Sequence, residues 1–285
     1  MLVIITGAFL AGMDAMAKYV SLQLPVIMAL WGRYFFHTVI TFTYFSHDTR
    51  SLGFLRAKRP DLQFYRAGCL FGATFFLYIS LQYMPLADAA AIQFLAPVLV
   101  TAFSGVFLGE HVGPRRWAAV VLGFIGVLLV TRPGSGVFGW IALLPLITAF
   151  SLGGYFIMTR IMRDKDNPAT TTFYTTALGA AVLSVAVFFY WETPSAFQWL
   201  LLAGMGTCGA IGHFMLVKAF HSAEASMLSP FTYSHVVFAI LWGFLAFGDV
   251  PSLWTISGAS VVIGSGLYIW YLETRVTIAA AATEK

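Results

Sequence analysis

Ten long apolar runs, joined by short polar connections, dominate the chain. A bilayer core of about 30 Å needs about 20 apolar residues per helix, and backbone groups in lipid must be hydrogen-bonded within the segment. Charged residues make up only 10% of the 285 residues, too few to give the chain a solvated surface. We therefore predict an all-α polytopic membrane protein, with transmembrane helices over 2–22, 26–45, 62–83, 89–108, 117–131, 137–158, 169–190, 197–217, 225–247 and 253–272.

The composition also excludes other classes of protein. The formal net charge is +4, but the basic residues lie in short connections and form no stripe that could follow phosphates. No nucleic acid is therefore expected as a partner. Cys69 and Cys208 both lie inside apolar runs, which predicts neither a disulfide framework nor a cysteine metal site. The lipid bilayer is the expected environment.

The distribution of lysine and arginine predicts how the chain is oriented, because cytoplasmic loops retain these residues. On the opposite side of the membrane only Arg132 is expected. The first run begins without a basic leader or a small-residue cleavage site, so we interpret it as a retained helix. We predict a multi-pass protein of a bacterial-type inner (plasma) membrane, with both termini cytoplasmic. The residues on the cytoplasmic side are Arg50, Arg56, Lys58, Arg59, Arg115, Arg116, Arg160, Arg163, Lys165, Lys218, Arg275 and Lys285.

The two halves of the chain share a sequence pattern. Ala87-Asp88-Ala89 opens the fourth run and Ala223-Glu224-Ala225 opens the ninth. The same two runs end in Phe107-Leu108-Gly109-Glu110 and Ala246-Phe247-Gly248-Asp249. Because each half contains five helices, an odd number, the second half enters the membrane from the opposite side. The pattern predicts two inverted five-helix repeats and a cytoplasmic tail, over residues 1–135, 136–275 and 276–285.

These motifs resemble those of the drug/metabolite transporter superfamily, specifically its ten-helix EamA-type members. The resemblance is carried by four strings, one of them in the second half. It implies a carrier of small organic metabolites, often an exporter, of which the aromatic amino acid exporters are one kind. It also implies a central cavity lined mainly by the first, third and fourth helices and their counterparts. The strings are Met84-Pro85-Leu86-Ala87-Asp88-Ala89-Ala90-Ala91, Phe94-Leu95-Ala96-Pro97, Phe107-Leu108-Gly109-Glu110 and Gly248-Asp249-Val250-Pro251.

Four charged residues lie inside the predicted helices, where a charge is costly and often functional. Asp14 and Lys18 are one helical turn apart, so they are expected either to pair or to leave Asp14 for a substrate ammonium or a coupling proton. Arg33 is expected to pair with a carboxylate such as Asp14, or to bind a substrate carboxylate. Arg66, close to the cytoplasmic end of its helix, is expected to extend toward the membrane surface.

Further polar residues inside the apolar runs complete the predicted site. The repeat aligns Tyr155 with Asp14 and Thr176 with Arg33, so a proton relay through two carboxylates is not available, which favours facilitated transport or exchange. Interhelical hydrogen bonding is the alternative role for the tyrosines and the glutamine, and simple packing is the alternative for His213 and His235. The predicted substrate-binding residues are Asp14, Tyr78, Gln93, Tyr155, His213 and Tyr233.

Two prolines interrupt predicted helices near the expected cavity. Pro97 and Pro230 each remove a backbone donor and free a carbonyl group. A kink at either position could act as a hinge, or could be a static bend. We predict these two prolines as candidate hinges in the fourth and ninth helices.

The predicted function is secondary transport by alternating access, most simply the export of amino acids, including aromatic and other apolar ones. The alternative is an uptake carrier for a vitamin or a nucleoside-like metabolite. An intramembrane enzyme is the remaining alternative, but the sequence offers no nucleophile with an adjacent base and no set of metal ligands. We therefore expect a small-molecule substrate, no cofactor, no metal and no enzymatic activity. The sequence does not choose between a monomer and a homodimer.

Overall fold

In the computed structural model, residues 2–49, 52–107, 109, 112–133, 139–162, 165–222 and 231–283 are described. Over those ranges the regular structure is entirely helical. Short 3-10 turns occur at Gly53–Leu55, Gly139–Ala142 and Val187–Tyr190. The α-helices are α1 (Leu2–Ser21), α2 (Val26–Thr49), α3 (Pro60–Leu81), α4 (Leu86–Gln93), α5 (Ala96–Phe107), α6 (Pro114–Thr131), α7 (Leu143–Met162), α8 (Pro168–Ala186), α9 (Ala196–Ser222), α10 (Ser234–Phe247) and α11 (Leu253–Thr283).

Each predicted apolar run contains at least one of these helices, which confirms the all-α membrane fold. Seven helical stretches are long and apolar enough to cross a bilayer by length and composition. Helices α2 and α3, with 24 and 22 residues, are also long enough to cross a bilayer, but each carries an arginine, Arg33 or Arg66, within its apolar stretch. The described part of α10 is shorter, at 14 residues. Helix α11 continues to Thr283, through most of the predicted tail.

Proline and capping residues begin several helices where the sequence turns apolar. Three of the helices described above begin with a proline, since the first N–H groups of a helix have no partner within it and the missing N–H of proline costs nothing there. They are α3, α6 and α8, which begin at Pro60, Pro114 and Pro168. The side chain of Asn167 accepts a hydrogen bond from Ala169 N at 3.0 Å and caps α8. At the other end of a helix, Gly248 has φ 69° and closes α10 in the left-handed conformation that favours glycine.

The fourth apolar run is broken in two, as the position of Pro97 predicts. Helix α4 ends at Gln93 and α5 begins at Ala96. Pro97 has no N–H to donate to the carbonyl of Gln93, four residues earlier, so a continuous helix would leave that carbonyl unpaired. The interruption is therefore confirmed, and its role as a hinge stays a prediction. Pro230 lies outside the described residues.

The packing of the helices repeats between the two halves. Helix α1 packs against α9 and α10, and α7 packs in the same way against α3 and against α4 with α5. Helices α2 and α8 pack on each other, as do α6 and α11. At the α6–α11 crossing a Cβ on Gly126 would lie 2.8 Å from the Gly258 carbonyl oxygen, so glycine permits the close approach. If each membrane segment of the first half is replaced by the corresponding segment of the second half, and the reverse, the same contacts recur. Two inverted repeats require this.

Candidate substrate site

Buried and partly buried polar side chains from α1, α2, α3 and α9 gather around Arg33 in the interior of the bundle. Asp14 is 4% exposed, Arg33 5% and Tyr78 0%, and the guanidinium lies within electrostatic reach of the Asp14 carboxylate. His37 follows Arg33 by one turn of α2, and its ring centroid lies 5.6 Å from that of His213 on α9. We name Asp14, Arg33, His37, Tyr78 and His213 the Arg33 cluster.

Arg33 is held in place by one hydrogen bond and two aromatic rings. Its Nη1 donates to the Thr74 hydroxyl at 2.9 Å, and Tyr34 donates to the same hydroxyl at 3.2 Å. The Cζ atom lies 5.6 Å from the ring centroids of both Tyr34 and Tyr78. These contacts orient the guanidinium and leave part of its donor capacity unused.

Several buried polar atoms of the Arg33 cluster have no hydrogen-bond partner among the described residues. They are Asp14 Oδ1, both ring nitrogens of His37, and Arg33 Nε and Tyr78 Oη, which belong to side chains that lie within reach of each other without a well-formed hydrogen bond. Leaving such a group unpaired costs about 1–3 kcal/mol, and more when the group is charged. A group of them in one place is unusual in a folded protein unless bound water or a ligand pairs with them. The Arg33 cluster is therefore the candidate substrate site.

The two charges of α1 do not pair with each other, so the predicted Asp14–Lys18 pair is wrong. Asp14 Oδ2 lies 3.2 Å from Nε2 of His235 on α10. Lys18 Nζ instead lies 2.6 Å from Asp249 Oδ2 and 4.5 Å from the centroid of the Phe247 ring. The C-terminal end of α10 lies beside the C-terminal end of α1, so Lys18 pairs with a carboxylate of the second half. Asp14 therefore does not pair with Lys18 and faces the interior of the bundle.

Arg66 is buried, so the predicted extension to the membrane surface is also wrong. It is 2% exposed, and its guanidinium donates 2.7 Å hydrogen bonds from Nε to Thr159, from Nη1 to Thr175 and from Nη2 to the Tyr155 hydroxyl. Nη1 also donates to the Thr171 carbonyl oxygen at 3.0 Å. We name Arg66, Tyr155, Thr159, Thr171 and Thr175 the Arg66 cluster. Polar side chains of α7 and α8 meet α3 here, which keeps the charge inside.

The predicted site residues therefore fall into different places. Asp14, Tyr78 and His213 meet at Arg33, whereas Tyr155 belongs to the Arg66 cluster. Tyr233 is buried with its ring centroid 5.7 Å from that of Phe94, which in turn lies 5.1 Å from the His235 ring. The contact between His235 and Asp14 thus links Tyr233 to the Arg33 cluster. Gln93 is buried at the end of α4, beside the break in the fourth segment.

His37 belongs to the candidate site but is not among the residues predicted from the sequence. Its spacing of four residues from Arg33 places both side chains on one face of α2, and that spacing was the available signal. The repeat partner of Arg33, Thr176, accepts a 3.0 Å hydrogen bond from Thr38 at the α2–α8 contact. Thr176 is therefore used in helix packing, and it brings no charge to the second half at that position.

An apolar groove lies elsewhere on the bundle, between α1, α9 and α10. It has a volume of about 460 Å³ and is lined by residues such as Phe9, Met16, Leu201 and Trp242. No charged side chain lines it, so it offers none of the polar recognition available at Arg33. Over the described ranges, no three His, Cys, Asp or Glu side chains are grouped to hold a metal ion.

Comparison with known protein families gives two matches along the chain. The EamA-like transporter family matches residues 1–132 and again residues 139–271. The chain belongs to the EamA-like transporter family. It is accordingly a multi-pass membrane transporter of small molecules and not an enzyme. Each family match covers five of the ten apolar runs, one match per half.

Individual relatives within the family carry different substrates. The chain is 27% identical over 263 residues to an S-adenosylmethionine uptake transporter of Rickettsia bellii, covering 92% of this chain and 89% of the relative. It is 29% identical over 280 residues to a riboflavin transporter of Vibrio cholerae, covering 94% and 91%. It is 24% identical over 257 residues to the pseudopaline exporter CntI of Pseudomonas aeruginosa, covering 88% of each.

Proposed function

We propose that the protein is a secondary carrier that takes up a small zwitterionic metabolite bearing a heteroaromatic ring, the chemical class of S-adenosylmethionine. The observation that carries the proposal is the Arg33 cluster. It holds a carboxylate oxygen of Asp14 and a guanidinium nitrogen of Arg33, both buried and both without a partner among the described residues. Opposite charges in one buried site match a substrate that carries both signs.

The chemistry of the two groups assigns the two ends of such a substrate. Asp14 accepts hydrogen bonds from a substrate ammonium, and Arg33 donates from Nε to a substrate carboxylate. Charge-assisted hydrogen bonds of this kind are stronger than neutral ones, and a low local dielectric strengthens them further. The rings of Tyr34 and Tyr78 beside the guanidinium supply aromatic surface for the rest of the molecule.

The relatives favour uptake over the export of amino acids expected first from the sequence. Two of the three relatives compared above are named as transporters of S-adenosylmethionine and riboflavin, which fits the vitamin or nucleoside-like alternative. Riboflavin is the second candidate substrate because of that similarity. The opposite charges of Asp14 and Arg33 favour the zwitterion, since riboflavin carries no such pair.

Contacts between the halves on both sides of the Arg33 cluster support alternating access. At the end where α1 stops, Lys18 pairs with Asp249, and the Thr255 hydroxyl donates to Asp88. Toward the opposite end, α3 contacts the second half through the Arg66 cluster, and Gln63 Nε2 donates to Asp166 at 3.0 Å. If the contacts between the halves break at one end of the bundle and remain at the other, the site opens to one side of the membrane.

The driving force and orientation in this proposal follow from the charges. The second half has Tyr155 at the position that Asp14 occupies in the first half, so only one of these two equivalent positions carries a carboxylate. This supports facilitated transport or exchange rather than a proton relay through two carboxylates. The many basic residues of one set of connections support an inner-membrane location with both termini in the cytoplasm.

Uptake into proteoliposomes tests the proposal. We expect saturable flux of labelled S-adenosylmethionine, reduced about tenfold or more by Asp14→Asn and by Arg33→Gln, since each removes a charge-assisted contact. The matched controls are Asp61→Asn and Arg59→Gln. These residues form an exposed pair with a 2.7 Å contact at the start of α3, and we expect both controls to transport normally.

A substrate panel separates the alternatives. Riboflavin flux that is insensitive to Asp14→Asn and Arg33→Gln would select the second candidate. Flux of phenylalanine without flux of S-adenosylmethionine would restore the amino acid assignment. Normal S-adenosylmethionine flux in both site variants would reject the Arg33 cluster as the site.

A further inference from the structure

We infer that His37 and His213 form a subsite that binds the heteroaromatic end of the substrate by hydrogen bonds, one helical turn beyond the charge pair. This inference rests on the proposed function, because it divides the same site into two parts. Asp14 and Arg33 hold the zwitterionic end, and the two imidazoles recognise the ring. The subsite determines specificity, whereas the charge pair determines binding of the amino acid group.

The burial of His37 is the first observation behind this subsite. The residue is 1% exposed, and neither Nδ1 nor Nε2 has a hydrogen-bond partner among the described residues. In either tautomer a neutral imidazole presents one N–H donor and one acceptor nitrogen. A packing histidine normally has at least one of them bonded, because unpaired polar groups are costly in the interior. Both nitrogens of His37 are thus available to a ligand.

The second observation is the way α9 is shaped around this ring. A Cβ on Gly206 would lie 2.8 Å from the His37 backbone nitrogen, so glycine permits the close contact between α2 and α9. A Cβ on Gly209 would lie 3.1 Å from His37 Nδ1. With only a hydrogen at Gly209, Nδ1 is not covered by a side chain from that position. The sequence of α9 therefore brings the helices together and places no side-chain atom of residue 209 against the unpaired nitrogen.

The third observation is the neighbouring imidazole. The rings of His37 and His213 are 5.6 Å apart between centroids and tilted by 48°. His213 is partly buried and lies one helical turn along α2 from the Arg33 side chain, across the contact between α2 and α9. Two adjacent imidazoles offer donors, acceptors and aromatic faces within one small volume.

These properties select the class of group that fits the subsite. A nucleobase carries amino donors and ring-nitrogen acceptors on its edge and an aromatic face, so it uses everything that the two histidines present. An aliphatic chain uses only the faces and leaves the nitrogens unpaired. A carboxylate is better served by Arg33, one turn away on α2. The pair therefore discriminates a nucleoside-bearing substrate from an amino acid that lacks a ring.

Selectivity between two sulfonium amino acids tests this assignment. S-adenosylmethionine and S-methylmethionine share the ammonium, the carboxylate and the sulfonium, and only the first has a nucleoside. We compare their flux in proteoliposomes for the wild type and for His37→Phe, which keeps a ring and removes both nitrogens. We expect the preference for S-adenosylmethionine to fall about tenfold or more in the variant, with a smaller effect on S-methylmethionine.

Further variants keep the test decisive if His37→Phe folds poorly. His213→Phe should lower the same preference, and His37→Asn, which restores a donor and an acceptor, should recover part of it. The matched control is His47→Phe, an exposed position on the same helix, which should retain the wild-type preference. An unchanged preference in His37→Phe and His213→Phe, or an equal loss of both fluxes, would overturn the subsite.

The outcome also separates this inference from the proposed function. Loss of both fluxes in Asp14→Asn and Arg33→Gln, with an unchanged preference in the histidine variants, rejects the subsite alone. If the wild type transports neither sulfonium compound, the proposed function is rejected and the subsite with it.

Discussion

Two arginines inside the bundle are equally hidden from solvent and yet differ in what surrounds them. Arg66 donates from Nε, Nη1 and Nη2 to the side chains and backbone of α7 and α8. Arg33 donates to Thr74 of the adjacent α3, and its Nε is without a partner in the described part of the chain. Burial alone does not distinguish a functional charge from a structural one, whereas unmet hydrogen bonding does.

The difference assigns separate tasks to the two clusters. All partners of Arg66 belong to the second half, so this residue joins the halves and stabilises the fold. The Thr74 partner of Arg33 belongs to the same half. Arg33 is therefore held in position while part of its guanidinium makes no hydrogen bond. Three predictions test this contrast.

The largest expected effect is on folding stability when each arginine is neutralised. Arg66→Gln removes hydrogen bonds that satisfy buried hydroxyl groups, and we expect the free energy of unfolding to fall by about 3 kcal/mol or more. Arg33→Gln removes one hydrogen bond and should cost about 1 kcal/mol or less. Thermal unfolding of the purified variants in detergent, followed by tryptophan fluorescence, measures both. Equal losses of stability would show that the contrast between the clusters is unfounded.

A smaller effect is expected at the ion pair between Lys18 and Asp249, where the side chains are 9% and 26% exposed. Lys18→Met, Asp249→Asn and the double variant form a cycle whose coupling free energy should be about 1–2 kcal/mol, since the pair is partly desolvated. The exposed Arg59–Asp61 pair provides the control cycle, in which we expect no measurable coupling. A coupling as small as that of the control would mean that Lys18 does not help to hold the halves together.

The smallest effect separates two buried tyrosines by the removal of one hydroxyl group. Tyr155→Phe deletes the acceptor of a 2.7 Å hydrogen bond from Arg66 and should lower the free energy of unfolding by about 1 kcal/mol. Tyr78→Phe deletes a hydroxyl that has no partner among the described residues, so stability should be unchanged while S-adenosylmethionine binding weakens. Melting temperature and equilibrium binding report the two effects. The reverse result would move the substrate site to the Arg66 cluster.

Much of the architecture was predictable from the sequence because the bilayer leaves few solutions. The lengths of the apolar runs predicted the helices, and two pairs of motifs, around Asp88 and Glu224 and around Glu110 and Asp249, predicted two five-helix halves. Pro97 predicted the break between α4 and α5. Each of these inferences depends only on the order of residues in the chain, which a sequence displays directly.

The partners of the charged residues were less predictable. Asp14 and Lys18 are one turn apart on α1, but Lys18 reaches Asp249, 231 positions away, and Asp14 reaches His235. Arg66 is near the end of its helix, where a side chain can extend to the interface, yet α7 and α8 supply four acceptors in the interior. His37 was passed over because its unmet nitrogens become visible only when its surroundings are known.

The amino-acid sequence was thus enough to predict a helical membrane protein of two related halves with a few charges inside. Its apolar runs must become helices because lipid offers no partners to the backbone. The three-dimensional arrangement was needed to show which of those charges have protein partners and which keep unpaired atoms. That distinction depends on contacts between helices distant in sequence, and the energy of a buried charge is set by whatever surrounds it.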